Sequence, residues 1–456
     1  MPKLRIAYFT PLPPQASGIA DHSAELLPHL APLADVDVVV AAGAPCSEEL
    51  RERFRILPPD AYLQEHAGYD AAVFQLGNDR LHAYMIPCMR ASPGIVALQD
   101  YGLHYLVLAL TLGRGELKTL ERALEPSYGD RSRKLALKLL LGLTDPAGFS
   151  FAEPFVSASR GLIVHSQHLL DLVRRQAPDK PVRNITLGAT VDARLEPKAE
   201  LRLRHGYRAD DFIVASVSTR APKKRLDVVL EAIRAARASI PGIRFVVVGG
   251  GSPGAKVYRS IREFGLSDVV EQTGWVEPER YRQLLRLADV AVDLRNTTGG
   301  ETAHSALRAL AAGTPVVVSA SGPFLDLPDD CCPKLASGPH QATALARVLE
   351  SLHRDPERLR TLSETAAAYA RSKLSLSLEA SEMVDFVRDV VSTTQRNARP
   401  VALLEPETVR GRPALAALYN VCRTAYLVRS YGVSDSLRRL RLNLAAAFGS
   451  RGREAL

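Results

Sequence analysis

Short apolar runs recur along most of the chain, and nearly every one is followed by a stretch with helical periodicity. RIAYFT, VDVVVAA, AAVFQL, GIVALQ, GLIVHS and VRNITL come first, then FIVASVST, RFVVVGG, VVEQTGWV, VAVDLR and PVVVSA. Between them lie amphipathic segments such as LDVVLEAIRAARA (226–238) and ERYRQLLRLADV (279–290). Strands apolar on both faces, each leading into a helix, predict parallel sheets covered on both sides. The series breaks once, at the polar stretch ARLEPKAELRLRHGYRAD (193–210). The expectation is an α/β protein of two Rossmann-like, doubly wound domains, 1–195 and 196–373, facing each other across a cleft. Such clefts take ligands at the carboxyl ends of their strands. The segment LSLSLEASEMVDFVRDVVST (374–393) reads as a helix with no strand after it, and is expected to cross back onto the first domain. Residues 396–456 form a basic helical extension. One helix there aligns Leu415, Leu418, Tyr419, Cys422 and Tyr426. A second starts at Ser434 and aligns Leu437, Leu440, Leu444 and Phe448.

At 456 residues the chain exceeds one ordinary core, which agrees with two domains. Its five cysteines (46, 88, 331, 332 and 422) form no CxxC pair, as befits a reducing compartment. No run of 18 apolar residues occurs, so no membrane span is expected, and the apolar stretch in MPKLRIAYFTPLPP is too short for a signal peptide. A cytoplasmic location follows, with association at the cytoplasmic membrane face left open. From Arg396 onward 11 arginines face four acids, so that segment carries +7 of the net +8. Arguments about an anionic partner therefore start at the tail, as a membrane-surface element or a cap on the chain's own surface. No nucleic-acid partner is expected.

STRAPKKRLD (218–227), RFVVVGGG, TGWVEPERYRQLLRLADVAVDLR and GGETAHSALRALAAGTPVVVSASGPFLDLPDD resemble, in order and spacing, the donor-binding domain of retaining glycosyltransferases of family four, which have the GT-B fold. PLPPQASGIADHSAELL resembles the family's first loop and helix, and ALQDYGLHYL and IVHSQHLLDLV its later acceptor-domain segments. The likeness spans roughly residues 4–393. It implies metal-independent hexosyl transfer, in glycan, polysaccharide or glycoconjugate biosynthesis. The donor would be a nucleotide-diphosphate sugar such as a UDP- or GDP-sugar, with no other cofactor. The acceptor would be a glycan, lipid-linked or small-molecule hydroxyl.

A departing diphosphate needs positive charge, which without a metal must come from Lys, Arg or helix N-termini. The resemblance assigns this to Lys224, followed at the family's spacing by Asp227, and to Arg220, one residue displaced; a solvated basic loop is the alternative. Gly299 and Gly300 permit a tight turn before a helix expected from Thr302 to Ala312, ending at Gly313. Donor phosphate would rest on the amides there. Glu301 would contact sugar hydroxyls or simply offset the helix terminus. Arg308 stands where the family carries a second Glu for the ribose, and is expected to bind phosphate or pair with Glu301. Trp275 and Val276 lie where the family's backbone meets the nucleobase, although a buried core tryptophan fits equally.

In LRIAYFTPLPPQASGIADHS, prolines stiffen a long strand-to-helix connection, Ser17 is a candidate N-cap, and Gly18 lets the backbone approach donor or acceptor. Asp21 and His22 would reach the acceptor or form a solvated first turn. Gln99 occupies a position where relatives often carry His, and can hydrogen-bond a sugar hydroxyl. Asp100 can orient the acceptor hydroxyl. His104 is an acceptor-side or packed residue, and His165 a hinge or cleft-lining one. GGGSPG lacks the GxGxxG frame, Ser166 lacks a GxSxG elbow, and DVD (35–37) sits within a strand, so dehydrogenase, hydrolase and metal-loop readings fall away. Rival expectations are an inactive GT-B subunit supporting a partner enzyme, and an epimerase or phosphorylase of the same fold.

Overall fold

The computed structural model describes residues 3–192, 196–217, 224–249, 255–295, 300, 304–393, 404–405 and 411–431. The first sheet contains β1 (Leu4–Phe9), β2 (Ala34–Val39), β3 (Arg55–Leu57), β4 (Ala71–Leu76), β5 (Ile95–Leu98), β6 (Gly161–Val164) and β7 (Val182–Asn184). Its order is β3-β2-β1-β4-β5-β6-β7, all parallel. The second contains β8 (Phe212–Val217), β9 (Ile243–Val248), β10 (Val270–Gly274), β11 (Val290–Asp293), β12 (Val316–Ser319) and β13 (Lys334–Leu335), in the order β10-β9-β8-β11-β12-β13 and again all parallel. Every residue of β4, β5, β6, β11 and β12 is buried, because helices cover both faces. That double burial is what makes these strands read as unbroken apolar runs.

Strand order reverses between β1 and β4 in one sheet and between β8 and β11 in the other. At a reversal the following loops diverge to opposite faces and leave a crevice at the carboxyl ends. The connections leaving these four strands are the proline-rich loop after β1, Gly77–Asp79 after β4, the basic segment after β8, and the stretch after β11 that enters helix His304–Ala311. The topology thus brings the motif-bearing loops to the facing edges.

Helix Gly18–Leu30 starts at Ser17, whose extended backbone and hydroxyl cap the Ile19 amide at 3.3 Å. Helix Leu376–Thr393 returns to the first domain and lies against helix 18–30. Its Met383, Val384, Phe386, Val387 and Val390 share a core with Ile6, Tyr8, Leu26 and Leu27. Helix Pro413–Tyr431 packs on the first domain as well: Tyr419 is buried there, and Leu415 packs against the same core. Thr119 and Arg122 donate to the Glu405 carbonyl at 3.1 and 2.9 Å. Gly115 and Gly411 permit this docking. A Cβ on Gly115 would lie 2.0 Å from the Arg412 carbonyl oxygen, and one on Gly411 1.9 Å from that of Arg114. Leu418 departs from the expected face and is exposed, because the buried stripe runs through 415, 419, 422 and 426. The second tail helix expected from Ser434 lies outside the described residues.

Candidate active site

On the second domain the connection after β8 ends at Lys224, next to Arg225, whose φ of +47° and ψ of 36° put it in the left-handed region. For a non-glycine residue that costs about 1 kcal/mol, and here it turns the chain into helix Leu226–Ala236. The Lys224 ammonium donates to Asp293 Oδ1 and to Ser305 Oγ, both at 3.1 Å. Asp293, the last residue of β11, is buried, and it also accepts from Arg295 Nε at 3.2 Å and Nη2 at 3.3 Å. The Ser305 hydroxyl donates to the other Asp293 oxygen. Burial alone would push the Asp293 carboxyl up, but Arg295 and Lys224 outweigh it and hold the group well below the usual carboxylate range. Two cations on one anion leave a formal charge of +1, and Ser305 belongs to the first turn of helix 304–311, whose dipole adds to it. Lys224 is therefore an ion-paired, largely buried residue rather than a solvated basic loop.

The first domain presents a different chemistry. His22, in the first turns of helix 18–30, is buried, which overturns the solvated alternative. Its Nε2 donates to Glu379 Oε1 at 2.9 Å, while Glu379 Oε2 accepts the Gly188 amide at 2.7 Å. Burial tends to raise the Glu379 carboxyl, yet His22 and the hydrogen bonds hold it below its ordinary value. The His22 ring meets His304 of the second domain edge to face, with centroids 4.9 Å apart. Burial, then Arg308 and His22, keep the His304 imidazole neutral, well below 6.5. His165 donates from Nδ1 to the Ile185 carbonyl at 2.8 Å, which leaves Nε2 to accept the Gln99 amide at 3.0 Å. The same amide donates to Gln75 at 2.8 Å. Burial pulls His165 down to about 4. Asp100 accepts the Asn78 amide at 2.9 Å, and Asn78 Oδ1 accepts the Tyr105 amide at 2.7 Å. His104 is buried beside the Asn78 side chain.

Contacts between the domains close one side of the cleft. Arg308 pairs with Glu25 of helix 18–30 at 3.0 Å and lies over the Tyr281 ring at 5.6 Å. Its partner is thus a first-domain carboxylate. Asp21, nearby, is pushed up by burial against the opposing pull of Arg308. Glu25, Thr190, Asp192, Tyr281, Arg282 and Arg308 line a small recess open to solvent. Gly300, at φ +73°, touches the first domain closely: a Cβ there would lie 2.7 Å from Tyr101 Cβ and 2.8 Å from Leu169 Cδ1. Gly18 is the opposite case, since a Cβ would meet nothing within 4 Å, so packing within the chain does not demand glycine. Trp275 is 61% exposed, which overturns the buried-core alternative, while Val276 packs partly on the second core. Arg220, Gly299, Glu301 and Thr302 lie outside the described residues. Among the described residues no group of three or more His, Cys, Asp or Glu is arranged to hold a metal ion.

Sequence reading missed Asp293, Arg295, Ser305, Glu379, His304 and Glu25. Two of these left a signal. Asp293 is a charge ending an apolar run at a strand terminus. Glu379 falls at the helical spacing of Leu376, Ala380 and Met383, an acid on a face otherwise built for burial.

Two facing, doubly wound parallel domains joined by a helix that crosses back constitute the GT-B fold. HepE of Anabaena, solved with UDP and glucose, superposes with a TM-score of 0.61 over 85% of this chain and 100% of that one, at 16% identity. Sucrose-phosphate synthase of Thermosynechococcus elongatus gives 0.61 over 86% and 100%, at 20% identity. Residues 197–369 match the family Glycosyl transferases group 1. A D-inositol 3-phosphate glycosyltransferase of Saccharomonospora viridis is 30% identical over 269 residues, 55% of this chain and 60% of that protein. An MMP alpha-(1->4)-mannosyltransferase of Mycolicibacterium hassiacum is 28% identical over 196 residues, 42% and 45% of the two chains. The chain thus aligns with 60% or less of the length of these relatives.

Proposed function

We propose that the protein is a retaining, metal-independent glycosyltransferase that moves a hexose from a nucleotide-diphosphate sugar to a hydroxyl acceptor in glycan or glycoconjugate biosynthesis. The observation that carries this reading is the convergence of Lys224 and Arg295 on Asp293 and Ser305 at the β8/β11 reversal. There a net positive, partly desolvated centre meets the end of a helix, where a leaving diphosphate is stabilised most. The bond from the anomeric carbon to the phosphate oxygen breaks, and the acceptor oxygen bonds to the same face of that carbon. The acceptor proton passes to the departing phosphate oxygen. Gln99 and Asp100 stand on the acceptor side, and the cations replace the charge that a divalent ion would supply. Glycosyltransferase relatives, and a similarly folded protein solved with UDP, support a UDP- or GDP-sugar as donor. The reading places the enzyme at the cytoplasmic membrane face, in keeping with the basic tail; among the described residues no helix is long and apolar enough to cross a membrane.

The test is release of nucleoside diphosphate from a panel of UDP-glucose, UDP-galactose, UDP-N-acetylglucosamine and GDP-mannose, with and without chelator. Turnover of one donor that survives chelation is the expected result. The second reading, a non-catalytic supporting subunit, draws on Arg308, which is engaged by Glu25. It would prevail if no donor in the panel were bound or turned over.

A further inference from the structure

Twelve large apolar side chains are exposed among the described residues, and five of them, Leu137, Leu141, Leu143, Leu418 and Val421, lie on two segments that touch each other. Leu143 and Val421 are the most open, at 69% and 67%. Leu137 projects from helix Ser132–Leu140, and Leu141 and Leu143 follow directly after it. Gly142, between those two, abuts helix 413–431 so closely that a Cβ would lie 2.8 Å from the Cys422 carbonyl oxygen. The two segments therefore meet where the leucines are. On helix 413–431, Ala414, Ala417, Leu418, Val421 and Ala425 are all exposed. Their spacing of i, i+3, i+4, i+7 and i+11 makes a continuous apolar stripe on the face opposite the docked one.

Cations are interleaved with this ridge. Arg131, Arg133, Lys134 and Lys138 are all exposed, and no acid occurs from Arg131 to Thr144 or within helix 413–431. Protein–protein interface cores are depleted in lysine, whereas leucines flanked by Lys and Arg are the pattern of a surface that lies in the boundary of an anionic bilayer. We infer that this face, formed jointly by residues 131–143 and helix 413–431, docks on an anionic lipid surface. The leucines and Val421 enter the acyl boundary, and the Arg and Lys heads remain among the phosphates. Tyr105, exposed near Tyr419, donates its amide to Asn78, whose own amide donates to Asp100, a residue the transferase reading sets on the acceptor side. A docked enzyme would therefore meet an amphiphilic acceptor whose head group enters from the bilayer. That last clause rests on the proposed transferase reading; the docking itself does not.

Sedimentation of the full chain with phosphatidylcholine vesicles, and with vesicles in which about one-third of the lipid is phosphatidylglycerol, tests this. The wild type should bind the anionic vesicles and be released by salt. The surface variant Arg133→Glu/Lys134→Glu/Lys138→Glu should weaken partitioning at least about 100-fold, and Leu141→Asp/Leu143→Asp at least tenfold. Binding of a nucleotide sugar and the unfolding midpoint should be unchanged in both. Wild type that stays in the supernatant, or variants that sediment as it does, would overturn the inference. So would a wild-type dimer that Leu141→Asp/Leu143→Asp converts to monomer, because the face would then be a contact between copies. Loss of donor binding in the wild type would instead count against the transferase reading and leave the docking result intact.

Discussion

On the second domain's side of the cleft, Lys224 and Arg295 converge on one buried carboxylate. On the first domain's side, Gln99 donates to Gln75 and His165, and His22 separately donates to Glu379. The first arrangement fixes charge where a dianion would leave. The second orders its side chains through hydrogen bonds around a neutral His165 and a Glu379 carboxyl held below its ordinary value. On the proposed transferase reading such a cleft would separate leaving-group stabilisation from acceptor positioning, and the two walls should fail differently when altered.

The largest expected difference is in turnover. One cation about 4 Å from an anionic charge is worth roughly 4 kcal/mol at an effective dielectric of 20. Lys224→Ala should therefore lower kcat/KM by about a thousandfold while the protein stays folded, measured on the best donor of the panel. His22→Ala should cost much less. If the two losses were equal, the division of labour between the walls would not hold. Next comes stability: Asp293→Ala would leave Lys224 and Arg295 facing each other without their anion, at a cost of about 3 kcal/mol or more in a denaturant titration. Asp293→Asn retains one acceptor and should cost less.

Acid should then report on His165 of the first wall. His165 titrates at about 4 in the folded chain because burial disfavours its cation, against about 6.5 when unfolded. Its contribution is complete above pH 6.5 and is lost as pH falls towards 4, since only the unfolded chain takes up the proton. Between pH 7 and pH 5 that amounts to about 2 kcal/mol. His165→Gln should flatten the pH dependence by that amount. Asp293, held ionised well below the usual range, contributes no such loss over the same interval. An unchanged slope in His165→Gln would show that the buried imidazole is not neutral.

The two walls were also unequally legible in the sequence. Parallel strands buried on both faces announce themselves as apolar runs, so both sheets, and the loops at their reversals, could be read locally. β3 and β13, at three and two residues, are too short to leave such a signature. Lys224 stood out because its loop has a recognisable frame. Its partners did not: Asp293 and Arg295 lie 69 and 71 positions further on, and no local periodicity reports that a turn and a strand end will converge. Glu379 reaches His22 across 357 residues of sequence. Trp275 shows the converse, an apolar residue that composition favours for burial but that a strand's end leaves open.

The smallest effect concerns the seam between the walls. Arg308 and Glu25 join the domains through a partly buried pair, with 16% and 21% of the side chains exposed, and such a contact contributes about 1 kcal/mol or less. Glu25→Gln should loosen closure, seen as a small rise in the radius of gyration, with donor affinity changed less than about threefold. Arg308→Ala sharpens the point, because Arg308 also lies over Tyr281 and lines the recess beside it. If Arg308→Ala matched Glu25→Gln in affinity and shape, the arginine would serve the seam alone. An affinity loss of tenfold or more confined to Arg308→Ala would instead assign the guanidinium to the nucleotide, and place a third cation on the second domain's side of the comparison.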